Sequence, residues 1–459
     1  MRKILLGTTA VVGAALLAPA AFAQTGVTTA PGAVGLRGDA AVGTQGVTAP
    51  SPAIAAQNAL SVRLGGFFDF SMAGIQDDWD RARSRNDAGT GAANRQARSR
   101  YDFRNDLELN VFVDGRAANG MTYGAVLEFQ MDNGSSGGGS GTTVDMDEAY
   151  VFLSFPNLGT LRMGQEDSAA SLLQVRAPSA GLIASDGDWY DFLSGTSGVN
   201  GHYMLSGIND GSDSTKIIYL SPQFAGFDFG LSYAPNTGEG ERDQLGTGSS
   251  FQRDRTALEN EVSAAIRYRG TFGPVGVNAG FGAMMADSPR LDADGRAVAT
   301  RAQQVNAYTV GLNLSAYGFA IGGEYTWGAY TGSSVGRAAL SPGLDDSQHW
   351  LIGATYTMGP LLIGANYGQG KQDNGTSRVG SAIVDRGDRT HTAWGIGAVY
   401  TLAPGLGVYA IYQNINDENI PTAAPSDARY GGNGTTLATF NGGNTRTINV
   451  LMGGVRLAF

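Results

Sequence analysis

Apolar and polar residues alternate along most of this chain with a period of two. Residues 107–113 place Leu107, Leu109 and Val111 between acidic and amide side chains, and residues 148–155 repeat the pattern as EAYVFLSF. A period of two gives a β-strand one apolar face and one polar face. The alternation therefore predicts an all-β chain of amphipathic strands from residue 61 onward.

Sixteen such strands can be placed on the sequence. They are predicted near residues 61–72, 101–114, 121–131, 144–155, 160–166, 213–221, 226–235, 260–270, 275–286, 304–315, 318–330, 348–358, 361–370, 389–401, 406–416 and 446–459. Seven of the connections are short and rich in turn residues, and eight are long and polar. Short and long connections alternate along the whole series.

Regular strand lengths and charged polar faces favour a closed barrel over a soluble sandwich. A membrane barrel turns its apolar face to lipid and its polar face to water, and sixteen strands with both termini on one side need seven turns and eight loops. Only helices and closed barrels satisfy every backbone hydrogen bond in lipid. Beyond residue 23, no apolar run reaches the roughly 20 residues that a helical span needs. The predicted fold is therefore a 16-stranded antiparallel transmembrane β-barrel.

The amino-terminal residues predict export. Arg2 and Lys3 precede an apolar run over residues 4–17, and Ala21-Phe22-Ala23 supplies a small-x-small cleavage site. We expect residues 1–23 to form a signal peptide, because the apolar run is short for a membrane anchor. Residues 24–60 have few charged or aromatic side chains and predict a disordered lead-in. The barrel is expected to comprise residues 61–459.

The composition narrows the possible chemistry. The chain has no cysteine and three histidines, so we predict no metal site and no cofactor. Without Arg2 and Lys3, the 31 basic residues fall to 29 against 41 acidic residues, a net charge of −12 that argues against nucleic-acid binding. The G-x-S-x-G patterns at 134–138 and 332–336 lie in polar loops, and Asp292-x-Asp294-Gly295 lacks the glutamate that closes a calcium loop.

Several stretches resemble the general, non-specific porins of Gram-negative bacteria, and among them those of alphaproteobacteria. They are SVRLGGFFDFSM at 61–72, YDFRNDLELNVFVDG at 101–115, EAYVFLSFPNLGTLRMGQED at 148–167, LSPQFAGFDFGLSYAP at 220–235 and MGGVRLAF at 452–459. The resemblance covers residues 61–459. The chain departs from the family at Gln165, where many members carry arginine.

This resemblance implies a homotrimer in the outer membrane, in contact with lipid and lipopolysaccharide, with the third long loop folded into each barrel. It implies passive diffusion of small hydrophilic solutes and ions, no catalytic residue, and a carboxy-terminal Phe459 that the outer-membrane assembly machinery reads. A substrate-selective channel is an alternative, although the three lysines of the chain are too few for a lysine ladder. An outer-membrane enzyme or adhesin barrel is a more distant one.

The third long connection, residues 167–212, carries Asp186, Asp188 and Asp191 beside Trp189 and Tyr190. With the resemblance, these aspartates are expected to form an acidic constriction inside the pore; the alternative is an acidic surface loop. Fixed carboxylates in a narrow site raise the local cation concentration, so we predict weak cation selectivity.

Charged residues at inward positions of the alternation are the expected pore wall. A charge facing lipid at mid-depth costs about 2–4 kcal/mol, which favours the inward assignment. The basic candidates are Arg63, Arg104, Arg162, Arg267 and Arg456, and the acidic candidates are Glu108, Glu128 and Glu148. Each arginine could instead form a structural ion pair with a neighbouring carboxylate, such as one of these three or Glu324.

Overall fold

The structure, a computed structural model, describes eleven stretches of the chain, which together carry all the elements given below. They are residues 60–77, 99–132, 144–180, 208, 214–236, 258–291, 297–298, 301–330, 339–379, 382–419 and 445–459. Sixteen antiparallel strands in these stretches form a closed barrel. A two-stranded hairpin and a five-residue helix complete the described elements.

The first eight barrel strands are β1 (Ser61–Asp77), β2 (Tyr101–Arg116), β3 (Thr122–Asp132), β4 (Asp145–Phe155), β5 (Gly159–Gln165), β6 (Thr215–Leu220), β7 (Phe227–Asn236) and β8 (Glu259–Phe272). The other eight are β9 (Val275–Asp287), β10 (Val305–Ala316), β11 (Phe319–Gly328), β12 (Ser347–Met358), β13 (Leu361–Asp373), β16 (Asp388–Ala403), β17 (Leu406–Glu418) and β18 (Arg446–Ala458). The helix α1 spans Ala169–Leu173, and the separate hairpin consists of β14 (Thr376–Val379) and β15 (Ala382–Asp385).

The predicted all-β barrel of sixteen strands is confirmed, and every predicted strand has its counterpart within a few residues. The hairpin β14–β15 was not predicted, because its two strands have four residues each and lie in a polar connection. A four-residue strand is too short to show a clear alternation.

Each barrel strand pairs with its neighbours in the chain, and β1 closes the barrel against β18. The register of this seam places Phe67 opposite Ala458 and Asp77 opposite Ile448. The seam extends to the end of the chain, because Gly66 and Phe459 exchange both of their backbone hydrogen bonds (3.0 and 3.1 Å). A closed ladder leaves no unpaired edge, which is the condition for strands in lipid.

One end of the barrel is formed by seven tight turns. Gly405 in the turn between β16 and β17 has φ +75°, and a Cβ there would lie 2.3 Å from the carbonyl oxygen of Ala458. Only glycine combines this left-handed backbone with so close an approach. The opposite end carries the long connections, as the sequence predicts.

The outer face of the barrel is apolar. Val62, Leu64, Leu231, Ile352 and Leu451 are each about half exposed or more, and the residues between them point inward. Aromatic pairs lie near the strand ends, such as Phe227–Tyr268 and Phe319–Tyr356 at the turn end and Tyr325–Trp327 at the loop end. Such aromatic belts mark the two interfaces of a lipid bilayer. Within the described residues, no helix has the length and apolar character of a membrane span.

Candidate functional site: the barrel lumen

After β5 the chain turns into the barrel. Residues 167–180, called here the inner strap, begin with Asp167 and the N-cap Ser168, whose hydroxyl accepts the Ser171 N–H at the start of α1. Both alanines at the start of α1 are fully buried. The helix packs on β7, β8 and β9, so the strap follows the inner wall instead of leaving the barrel.

The wall beneath the strap is lined with glycine. A Cβ at Gly311 would lie 1.8 Å from the Val175 carbonyl oxygen, and one at Gly353 would lie 2.1 Å from that of Pro178. Further glycines on β7, β9 and β13 face side chains of the strap, with an ideal Cβ 2.8–3.3 Å from the nearest strap side-chain atom; they are Gly230, Gly280, Gly282 and Gly364. We call these six residues the glycine track. Because they have no side chain, the strap rests directly on the backbone of the wall.

Four wall side chains hold the strap by hydrogen bonds. The N–H groups of Ala169 and Ala170 donate to Ser232 Oγ (3.1 Å) and Ser263 Oγ (2.7 Å). Farther along, Asn313 Nδ2 donates to the Arg176 carbonyl oxygen (2.7 Å), and Glu324 Oε2 accepts the Ala177 N–H (2.9 Å). An irregular backbone buried in a barrel needs such partners. Of these four side chains, the sequence pointed only to Glu324, as a possible ion-pair partner of an arginine, and it did not point to the glycine track.

The in-folded third loop predicted from the resemblance is present in the described part of the connection, residues 167–180. The predicted constriction residues Asp186, Asp188 and Asp191 lie outside the described residues. The strap is described as far as Ala180, which packs against β13 inside the lumen.

The five predicted wall arginines all lie on the lumen side, and four of them form ion pairs across neighbouring strands or along β5. Arg63 pairs with Asp114 (2.9 Å), Arg267 with Asp228 (2.9 Å) and Arg162 with Glu166 (3.2 Å). Arg456 lies 3.8 Å from Asp69. The carboxylates in these four pairs differ from those named as neighbours in the sequence. Each of these four arginines thus has a carboxylate partner within 4 Å.

Three of these arginines also stack on aromatic rings in the lumen. The guanidinium of Arg456 lies 3.7 Å from the centre of the Phe67 ring, and those of Arg63 and Arg162 lie 5.1 Å from the Phe112 and Tyr150 rings. A planar guanidinium can stack and form an ion pair at the same time, which a lysine ammonium does less well. The stacking fixes where each positive charge lies.

Asp69 and Asp106 stand directly opposite each other on β1 and β2. Facing like charges destabilise a strand pair unless other groups compensate. Here Tyr409 Oη donates to Asp69 Oδ1 (2.7 Å), Arg456 lies on the other side, and Arg104 is two positions farther along the ladder. Arg104, the fifth predicted arginine, therefore belongs to a mixed charge cluster.

The predicted acidic wall residues Glu108, Glu128 and Glu148 are all buried on the lumen side of β2, β3 and β4. Asn110 Nδ2 donates to Glu108 Oε1 (2.7 Å) and stands opposite Glu128 in the ladder. Five more buried acidic residues share this side of the barrel; they are Asp106, Asp114, Asp147, Glu166 and Asp167. We call the sector formed by β2 to β5 the acidic wall.

Acidic residues outnumber basic ones on the whole inner wall. Among the described residues, fourteen acidic side chains are buried against five basic ones. Arg63, Arg104, Arg162 and Arg269 are partly buried and add to the basic side, which still leaves an acidic excess. Charges that line a narrow aqueous path determine which ions enter it.

Two buried ion pairs near the loop end were missed from the sequence. Arg389 pairs with Asp417 through two hydrogen bonds, and Arg446 pairs with Asp77 in the same bidentate way. The four residues come from the adjacent strands β16, β17, β18 and β1. Their inward phase in the alternation is the available signal, but the predicted strands 61–72 and 406–416 end before Asp77 and Asp417.

Two histidines, His349 and His391, are buried on the lumen side of the barrel. His349 Nδ1 is 2.9 Å from the Tyr330 hydroxyl, and His391 stands opposite Asp417 in the ladder. Burial raises the pKa of Tyr330, which follows β11, well above its usual value, so its hydroxyl keeps its proton. In the described part of the chain, no group of three or more His, Asp or Glu residues could hold a metal ion. The segment with Asp292, Asp294 and Gly295 and both G-x-S-x-G patterns lie largely or wholly outside it.

A closed β-barrel with a lipid-facing outer surface, charged inner walls and a strap within the lumen defines a transmembrane channel. The chain belongs to the Gram-negative porin family, whose sequence profile matches residues 7–420. The protein is therefore an outer-membrane channel. No curated protein sequence matches it at a significant level.

Solved porins and related channels share the fold. The anion-selective porin from Comamonas acidovorans superposes with a TM-score of 0.51 at 16% identity, covering 87% of this chain and 100% of its own. The channel DcaP of Acinetobacter baumannii gives a TM-score of 0.52 at 13% identity, covering 88% and 99%. The outer-membrane protein OmpT of Vibrio cholerae, solved in a trimer form, gives 0.51 at 13% identity, covering 88% and 100%.

Proposed function

We propose that this channel passes small hydrophilic solutes and ions by passive diffusion and weakly prefers cations. The observation that carries the proposal is the excess of buried acidic over buried basic residues on the described inner wall. Fixed negative charge in a low-dielectric passage concentrates cations there and repels anions. The identity to the anion-selective porin is only 16%, so its selectivity is not transferred to this chain.

The ion pairs of the arginines leave this charge balance unchanged. Arg63, Arg267 and Arg456 each have a carboxylate within 4 Å, and each such pair is neutral as a whole. The acidic wall contains more carboxylates than basic partners. Its net field is therefore negative, and an ion in the lumen experiences that field at close range.

Asp186, Asp188 and Asp191 are proposed to add to this field at the narrowest section. They follow the inner strap by a few residues, and the strap lies inside the lumen as far as Ala180. Together with the acidic wall, they would make the constriction negative on two sides.

The remaining assignments follow from the family. We propose that the chain forms a homotrimer in contact with lipid and lipopolysaccharide. Residues 1–23 are proposed to be its signal peptide, and residues 24–60 a lead-in that precedes the barrel. Phe459 pairs with Gly66 through its backbone, whereas its ring is about half exposed. The ring is thus accessible to the assembly machinery, which is proposed to recognise it.

Reversal potentials across a planar bilayer in a salt gradient test the selectivity. The native protein should form ohmic steps with a cation preference. A variant with Glu108, Glu128 and Glu148 changed to glutamine should lose part of that preference, because three negative charges leave the acidic wall. Asp388→Asn, which removes an exposed loop-end charge, is the matched control. Anion preference of the native protein would contradict the proposal.

A further inference from the structure

We propose that Asn313 and Glu324 are positioning residues of the constriction: they fix the inner strap against the wall and so determine the width of the aqueous path. The inference rests on the proposed channel function, since it concerns how that path is narrowed. Neither residue is proposed to contact the solute. Both lie on the lumen side of the wall, on the adjacent strands β10 and β11.

The two side chains bind consecutive residues of the strap. Asn313 Nδ2 donates to the carbonyl oxygen of Arg176, and Glu324 Oε2 accepts the N–H of Ala177. The donor and the acceptor are therefore arranged around a single peptide linkage. A strap that moved away from the wall would leave both backbone groups without these partners, and a buried backbone group without a hydrogen bond is unfavourable.

Burial separates these residues from the permeation path. Asn313 is fully buried, Glu324 is 5% exposed and Ala177 is 2% exposed. Since the strap covers them, solute in the lumen meets the strap before it meets either side chain. Glu324 therefore differs in role from the carboxylates of the acidic wall, although it carries the same charge.

The glycine track makes the anchoring position well defined. Gly311 stands directly opposite Glu324 in the ladder, and its missing side chain lets the Val175 carbonyl lie against the wall. Gly353 and Gly364 do the same for Pro178 and Ala180. The strap thus lies against the glycine track and is bound there by the side chains of Asn313 and Glu324. Any displacement therefore moves it into the lumen or along the wall.

Substitutions of Asn313 and Glu324 distinguish an effect of the strap's position from an effect of the Glu324 charge. Glu324→Gln keeps an acceptor for the Ala177 N–H but removes the charge, whereas Glu324→Ala removes both. Asn313→Asp keeps the size of the side chain but loses the donor. If the residues act by positioning, single-channel conductance should stay at the native value in E324Q and depart from it in E324A and N313D. If Glu324 acts by its charge, E324Q should follow E324A, and the inference is wrong.

A disulfide between the strap and the wall tests whether holding the strap in position restores the conductance of E324A. An ideal Cβ at Gly364 lies 2.9 Å from the Ala180 Cβ, and Ala180→Cys with Gly364→Cys needs the two Cβ atoms to separate by about 0.6 Å to reach disulfide geometry. The same Cβ would lie 2.8 Å from Thr355 Cγ2 and 2.9 Å from the Ala354 carbonyl oxygen, so the wall must also adjust. The native chain has no cysteine to compete. Because a cysteine at Gly364 itself adds a side chain to the glycine track, the reference is the same cysteine pair in the chain that keeps Glu324. In E324A carrying this pair, oxidation should return the conductance to the value of that reference and dithiothreitol should abolish the restoration; the two single-cysteine variants are the controls.

The outcomes remain interpretable if a variant is unstable or the channel function is wrong. Heat-modifiable mobility of the purified barrel shows whether each variant has folded. Unchanged conductance in folded E324A and N313D, or no effect of oxidation on the cross-linkable variant, would overturn the inference. Absence of conductance in the native protein would instead refute the proposed function.

Discussion

At the residue scale, charged side chains in the lumen of this barrel are held in position by ion pairs. The bidentate pairs Arg389–Asp417 and Arg446–Asp77 are almost fully buried. Removing one partner of a buried pair leaves an uncompensated charge, whereas the pair itself adds little beyond the cost of burying it. These four residues therefore constrain the loop ends of β16, β17, β18 and β1 more than they stabilise them.

We expect Asp417→Ala to destabilise the barrel by about 3–5 kcal/mol, because Arg389 would stay buried without its bidentate partner. Asp388→Ala removes the partner of Lys371 in a pair whose side chains are 43% and 37% exposed, and it should cost at most about 1 kcal/mol. Urea unfolding in lipid vesicles, followed by tryptophan fluorescence, measures both free energies. Equal effects of the two variants would show that the lumen pair is fully hydrated.

At the element scale, the strap and the glycine track form one structural unit. The strap has little regular structure of its own, since α1 has five residues. Its course is determined by small residues on β7 to β13 and by four polar anchors. A wall without side chains is thus as important for the strap as the hydrogen bonds that hold it.

Gly311→Ala should displace the strap, because the new Cβ would lie 1.8 Å from the Val175 carbonyl oxygen. Overpacking of this kind costs about 1–3 kcal/mol, and moving the strap is the way to relieve it. Gly407→Ala is the control, since a Cβ there has its nearest neighbour at 3.8 Å. A cysteine at Ala177 should react faster with a thiol reagent in the first variant than in the second. The same rate in both would mean that the wall absorbs the extra methyl group.

At the scale of the whole molecule, the barrel is independent of what lies inside it. The strand ladder closes on itself through β1 and β18, and none of its pairings involves the strap. Selectivity and width can therefore change without changing the fold. This separation explains how chains of 13–16% identity keep one architecture.

Deleting residues 181–194 removes the three proposed constriction aspartates and leaves the inner strap in place. The closed ladder should still form. We expect conductance to rise, cation preference to fall and larger sugars to pass in liposome swelling. A folded deletion variant with native conductance and selectivity would place these aspartates outside the pore.

The sequence was sufficient to predict the strands of the barrel but not the contacts between side chains in its interior. Strands followed from the period of two, and inward arginines such as Arg63 followed from the phase of that pattern. The partner of Arg63 is Asp114, 51 positions away, and only the register between β1 and β2 brings them together. The glycine track is visible as glycine-rich strands, yet its purpose depends on the strap that crosses it. Long-range register, which local patterns do not encode, accounts for both gaps.

The seam between β1 and β18 is also expected to form late in folding. Its partners Phe67 and Ala458 lie at nearly opposite ends of the barrel sequence, so this pairing is the most non-local in the molecule. Loop-closure entropy grows only with the logarithm of length, but non-local pairings form slowly. Until they meet, the two terminal strands are unpaired edges, which lipid does not tolerate. Closure is therefore expected to be the late, cooperative step that commits the chain to the membrane.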